Sequence, residues 1–170
     1  HPIDMWTNAN GGPLANRFVR IYDMGQNMDG WCSVTLVNTN YSDTNITLRY
    51  AESLGLDSLQ RQVRGANIDI KSLEDTLFPV TKAAQTDKYF ILQTNAIQEL
   101  KPHFTYHGFR FVEVDAPEDF ALTTNSLAGY VIRSDVPVAG AFSSSHRDLN
   151  QLITNTAWSL KANLYGVQTG

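Results

Sequence analysis

The sequence predicts an all-β fold, an antiparallel β-sandwich followed by one C-terminal α-helix. Three observations lead there. The stretch Pro102–Val114, PHFTYHGFRFVEV, has aromatic and β-branched residues in both of its alternating sets, the pattern of a strand covered on both faces. Shorter segments elsewhere alternate apolar with polar residues between turn clusters. From Arg147 to Tyr165 the period changes, and Leu149, Leu152, Ile153, Thr156, Ala157, Leu160 and Leu164 recur at helical spacing.

Taken in order, His1–Asn16 is rich in Asn, Gly and Pro and is expected to be an irregular entry arm. Arg17–Met24 reads as a strand, and Gly25–Gly30 as a tight connection. Trp31–Asn38 alternates Cys32, Val34 and Leu36 with Ser33, Thr35 and Val37, and Asn45–Ala51 is expected to return beside it as a hairpin. Glu52–Asp87 has no sustained period, so hidden short strands or a functional loop are expected. Lys88–Gln93 is a short apolar strand that leads to the Pro102–Val114 strand. In that central strand, Gly108 marks a bulge or the close approach of another backbone. Leu127–Val136 and Val138–Phe142 are further strand signals, split by Pro137. Ser145-His146-Arg147-Asp148 resembles a capping box that opens the helix.

At 170 residues, with 42% hydrophobic and 18% charged, the chain is long enough for one packed domain, or one domain and part of the next. A net charge of −4 without a basic run argues against nucleic acid or an anionic membrane surface as partner. No apolar run of about 18 residues is present to span a bilayer. The chain begins with His1 and carries no signal peptide, so a processed or excised piece is expected. Cys32 lies in a strand pattern, where a buried small hydrophobe is expected. Sequons at Asn40-Tyr41-Ser42 and Asn45-Ile46-Thr47 lie in one polar stretch and matter only in a secreted eukaryotic protein.

Catalytic chemistry has few footholds. Glu113, Asp115, Glu118 and Asp119 could supply the two carboxyls of glycoside hydrolysis, but a solvated loop around Pro117 accounts for them as well. His103 and His107 are four apart on a strand, about 13 Å, too far to share a metal ion; structural histidines are the plainer reading. Asp23, Asn27 and Asp29 could gather oxygens for calcium, and a hydrogen-bonded polar turn explains them equally. Ser143-Ser144-Ser145-His146 lacks a nucleophile elbow, and there is no nucleotide-binding glycine pattern. Trp6, Trp31, Tyr106, Phe109 and Phe111 could stack on a sugar or simply fill a core.

The segment PHFTYHGFRFVEV resembles the P-x-F-T-Y-H-G-F-R-Y-V-E-V signature of bacterial-type α-L-rhamnosidases, the family 78 glycoside hydrolases, with Phe111 in place of Tyr. Asp23–Trp31 resembles the family's D-x-G-Q-N-x-x-G-W, Leu48–Glu52 its L-R-x-A-E, and Thr86–Tyr89 its T-D-x-Y. Ser134-Asp135-Val136, Gly140-Ala141-Phe142 and Leu149–Leu152 with Trp158 and Asn163 resemble the run into its catalytic domain. Two departures stand out: a longer link between Arg64-Gly65-Ala66 and Thr86, and Val167-Gln168-Thr169-Gly170 where the family often has V-P-T-D.

The resemblance implies a concanavalin-like sandwich at residues 1–145 and, at 146–170, the first helix and lead-in of an (α/α)₆ catalytic barrel. It implies a parent enzyme that removes terminal α-L-rhamnosyl residues with inversion. No residue matches the family's acid or base, so no catalytic residue and no metal ligand are assigned. No cofactor is expected. Candidate sugar contacts are Trp31, Tyr106, His107 and Arg110. Expected partners are rhamnosides, through the parent enzyme, together with the barrel and neighbouring sandwich domains of the same polypeptide. A rhamnose-binding module and an accessory domain of a polysaccharide lyase are the rival readings.

Overall fold

The structure is a computed structural model that describes residues 2–7, 17–37, 44–52, 85–91, 97–117, 120, 122–165 and 167–168. The chain divides into two compact units, His1–Tyr130 and Val131–Gly170.

The first unit is built on antiparallel strands: β1 (Pro2–Thr7), β2 (Arg17–Leu36), β3 (Thr44–Ala51), β4 (Thr86–Ile91), β5 (Gln98–Leu100), β6 (His107–Pro117) and β7 (Leu127–Val131). They form one sheet of order β1-β2-β6-β3-β4, with β5 and β7 also paired to β2. A 3₁₀ turn, Thr124–Ser126, precedes β7. The all-β class is as expected, and β6 is the middle strand.

Burial follows from β6. Val112, Val114 and Ala116 line one face with Tyr50 and Leu48 of β3 and Phe18 and Tyr22 of β2, all buried. The opposite face holds Phe111 against Ile21 and Ala51, then Glu113 and Asp115. These carboxylates are only 1% and 3% exposed. Arg49 of β3, directly across from Glu113, binds it and also lies 3.5 Å from Asp115. From the other side Arg17 Nε donates to Asp115 Oδ1 at 2.6 Å, while its Nη2 donates to the carbonyls of Asn45 and Asp115. The solvated-loop reading of Glu113 and Asp115 is therefore corrected: both lie inside the sheet, each held by an arginine. Glu118 and Asp119 lie outside the described residues.

Several sequence expectations change. Pro2–Thr7 is a strand on β2, not an irregular arm. Arg17–Leu36 is one continuous strand, because the ladder with β6 resumes at Met28 after a bulge at residues 24–27. Asp23 pairs with Phe111 and Met28 with Phe109, so four residues of β2 face one residue of β6. Gly25 sits there at φ 85°, a left-handed conformation that glycine adopts without cost. The hairpin of β2 with β3 does not form, since β6 lies between them. A strand apolar on both sides gains most from the middle of a sheet, and that outweighs pairing sequence neighbours. Residues 102–106 precede β6 rather than belong to it. Most of the weak stretch, 53–84, and the Asn40 sequon lie outside the described residues. The other sequon runs into β3, where Thr47 is buried.

In the second unit Val138–Phe142 forms no strand, and Val136, Val138 and Phe142 are exposed. Helix α1 (Arg147–Ala162) forms at the expected spacing, and β8 (Leu164–Tyr165) pairs with β9 (Val167–Gln168). The capping-box expectation is corrected, because the N-cap His146 makes no side-chain cap bond. Instead Asn150 reaches back, accepting from the Ser144 N–H at 2.9 Å and donating to the Ser144 carbonyl at 2.8 Å. No residue of α1 is buried, and Leu149, Leu152, Ile153 and Leu160 stay exposed. No helix among the described residues is long and apolar enough to cross a membrane.

Asp115→Ala removes the shared partner of two arginines. Breaking a buried pair costs about 3–5 kcal/mol, and Arg49 keeps 26% of its side chain exposed. A loss near the lower end, roughly 3 kcal/mol, is expected from urea denaturation.

Burial also sets an alkaline limit. It pushes the Cys32 thiol from its ordinary 9.0 up to about 12 and moves the Tyr50 and Tyr89 hydroxyls upward as well. Above pH 9.0 the unfolded chain releases the thiol proton, and above 10.0 the two phenol protons, while the folded chain keeps them, so stability falls as pH rises from 9.0 toward about 12. The urea midpoint should drop between about pH 7.5 and about pH 10.5, and Cys32 should react with iodoacetamide only once the chain unfolds.

Candidate functional site

The bulge in β2 places a polar rim at one end of β6. Asp23, at its start, accepts from the Gly25 N–H at 2.8 Å through Oδ1, which folds the backbone back on itself. The same carboxylate takes Arg110 in two parallel bonds, Nε to Oδ1 at 2.9 Å and Nη2 to Oδ2 at 2.8 Å. This guanidinium is the main reason the Asp23 carboxyl lies below its ordinary value, and Asp23 in turn raises Arg110. Asn27 donates to Glu52 Oε1 at 3.4 Å. Gly108 lies beneath: an added methyl would sit 3.0 Å from Asp29 Oδ1 and 3.4 Å from Glu52 Oε1. The missing side chain therefore makes room for carboxylates rather than for another backbone, and the expected bulge lies close by, in the partner strand β2.

Under the rim lies a closed polar cluster. His107 begins β6 at 5% exposure, with Nδ1 2.9 Å from Gln85 Oε1 and Nε2 3.0 Å from Asp87 Oδ1. Its ring stacks on Tyr50 at 4.2 Å between centroids, and Phe109 meets Tyr50 edge-on at 4.9 Å. Tyr50 donates to Asp87 Oδ2 at 2.9 Å, and Tyr89 reaches the same oxygen at 3.5 Å. The Tyr50 N–H donates to the Gln85 carbonyl at 3.0 Å, tying β3 to the start of β4. Burial, followed by nearby charge that includes Asp87, pushes both phenols upward.

The four sequence-predicted contacts fare differently. Trp31 is half-buried and stacks with Tyr130 at 6.2 Å and 28° between planes. Tyr106 is 49% exposed, and Arg110 is exposed though paired with Asp23. His107 is buried, and both its ring nitrogens are taken up by Gln85 and Asp87, which fastens β6 to β4. Residue reading did not single out Tyr50, Gln85 and Asp87 as its partners. The signal was present in the L-R-Y-A-E and T-D-K-Y segments, which converge on His107 in space.

This arrangement holds strands together and displays a polar rim, and its central carboxylates are engaged within the fold. Glycoside hydrolysis needs one carboxyl protonated and another ionised near the working pH. Here Asp23 is bound by Arg110, Asp87 accepts from Tyr50 and contacts His107, and Glu113 and Asp115 are bound by Arg49 and Arg17. The groups with resolved shifts move away from neutrality, the carboxyl down and the thiol and phenols up. Among the described residues, no group of three or more His, Cys, Asp or Glu could hold a metal ion. The calcium reading of Asp23 is also disfavoured by its two bonds to Arg110.

Comparison with known proteins agrees with this geometry. Residues 15–133 match the family described as the bacterial alpha-L-rhamnosidase concanavalin-like domain. The alpha-L-rhamnosidase of Alteromonas sp. (strain LOR) is 32% identical over 148 residues, covering 86% of this chain and 14% of the relative. The structure of the alpha-L-rhamnosidase from Dictyoglumus thermophilum superposes with a TM-score of 0.71 at 30% identity, covering 99% of this chain and 16% of that one. The Streptomyces avermitilis alpha-L-rhamnosidase complexed with L-rhamnose gives 0.66 at 30% identity, over 91% of this chain and 13% of that one. The chain thus spans about one-seventh of the length of the curated relatives it matches. With its sheet organised on β6 and its family motifs gathered around His107, the chain therefore belongs to the concanavalin-like β-sandwich domain family of the bacterial alpha-L-rhamnosidases.

Proposed function

We propose that the chain is a non-catalytic supporting domain of a larger α-L-rhamnosidase, an inverting glycoside hydrolase that removes terminal α-L-rhamnosyl residues. The observation that carries this is the occupied state of the central carboxylates: half-buried Asp87 and buried Glu113 and Asp115 are all engaged within the fold. The chain's 14% share of its curated relatives supports the same reading, since it leaves most of such a polypeptide for the catalytic machinery. The acid and base belong to an (α/α)₆ barrel, and residues 146–170 are its lead-in. The exposed apolar residues of α1, Leu149, Leu152, Ile153 and Leu160, support that part, because a helix keeps such a stripe for a partner.

The 170-residue chain is expected to release no p-nitrophenol from p-nitrophenyl α-L-rhamnoside, and the full-length product of the gene to release it with inversion. Turnover by the pure chain overturns the supporting role. Exposed Tyr106 and Arg110 favour one second reading, a rhamnose-binding module. Titration calorimetry decides: binding of rhamnose to the chain tighter than about 1 mM supports the module, and no heat supports the scaffold.

A further inference from the structure

Phe104 carries two costs at once. Its φ is 61°, which makes it the one non-glycine residue with positive φ among the described residues. An aromatic side chain gains nothing from that left-handed conformation, where Gly or Asn would sit with less strain. Its side chain is also 108% exposed, beyond a fully exposed reference, so it forgoes the hydrophobic gain of burial. The His103 ring lies 6.4 Å from it and tilted, and His103 is exposed as well.

The turn that holds Phe104 is pinned at both ends. On one side β5 pairs with β2 through Val34–Leu100 and Leu36–Gln98. On the other, His107 is fastened to Gln85 and Asp87 and pairs with Gly30. Residues 101–106 therefore span between two anchored strands, with Pro102 stiffening the entry. Strain of this kind persists only where the surroundings impose it, and it concentrates at contact and switch points.

We propose that Phe104 is a knob that seats in an apolar pocket on another domain of the same polypeptide. This rests on the reading of the chain as one domain of a larger enzyme. The shape selects the occupant. A side chain this exposed is convex, whereas sugars bind in concave sites furnished with polar groups, and Phe104 offers no polar atom. A protruding aromatic that fills a partner's pocket is the usual anchor of a protein interface. The partner lies in the same chain because this stretch is 14% of its curated relatives, leaving most of such a polypeptide to supply the pocket.

The test compares Phe104→Asn and Phe104→Ala in the 170-residue chain and in the full-length gene product. Phe104→Asn should raise the urea midpoint of the short chain, by relieving the left-handed backbone, and lower that of the full-length protein, by emptying the pocket. In the full-length protein, Phe104→Ala should speed hydrogen exchange of residues 101–106 at least about tenfold, the signature of a turn released from a contact. Midpoints that move in the same direction in both proteins, or exchange that does not change, overturn the proposal. So does a short chain that sediments as a dimer and becomes a monomer on Phe104→Ala, since the occupant is then a second copy. Rhamnoside hydrolysis is read separately: a full-length protein that protects the turn but hydrolyses no rhamnoside sinks the enzyme reading and leaves the knob standing.

Discussion

Glu113 and Asp115 share a face of β6 that is closed to water, and their charge is tolerable there because Arg49 and Arg17 reach them from the strands on either side. A carboxylate moved from water into a protein interior without a partner costs several kcal/mol. The pairing therefore acts on register as much as on stability. Sliding β3 by one residue would turn Arg49 to the opposite face and leave both carboxylates without it. Pairing β2 directly with β3, as their closeness in sequence invites, would separate the arginines from the strand they serve. The order β2-β6-β3 is the arrangement that satisfies these charges while burying Val112, Val114 and Ala116 on the reverse face.

The polar rim depends on the same strand. Because β6 runs straight through the ladder, the extra residues of β2 have to leave it, and they do so where Arg110 can grip Asp23. Beneath them His107 ties the beginning of β6 to Asp87 and Gln85 beside β3. Four motifs far apart in sequence, around Asp23, Tyr50, Asp87 and His107, thus meet within one end of a sheet. Together they hold that end of the sheet in place.

How much of this was legible follows from the range of each cause. The strand expected at Pro102–Val114 and the helix expected at Arg147–Tyr165 form as His107–Pro117 and Arg147–Ala162; their existence shows in the sequence because the patterns are local and strongly periodic, while their ends do not. The bulge was hidden because Gly25, Asn27 and Asp29 are also the residues of a turn, and only the ladder with β6 shows that the strand continues. The burial of Glu113 and Asp115 was hidden for a related reason. Charged residues beside Pro117 look solvated until Arg17, 98 residues from Asp115, is brought beside it. Val138–Phe142 failed in the opposite sense, having strand-forming residues and pairing with no strand among the described residues. Of the candidate sugar contacts, Tyr106 and Arg110 are exposed as a contact must be, whereas His107 is committed to the interior, which no single residue could disclose.

The length of β2 has a consequence for synthesis. Its first residue, Arg17, pairs with Pro117, so the spine of the sheet waits for a strand made about a hundred positions later. Pairings this distant in sequence form slowly, because chain closure must precede any gain from contact. Until β6 leaves the ribosome, this twenty-residue strand has, among the described residues, only β1 and the three-residue β5 as early neighbours, and the edge that β6 covers stays open. The nascent chain is thus most exposed to aggregation before Pro117 emerges, and pausing or a bound chaperone would help most during that interval.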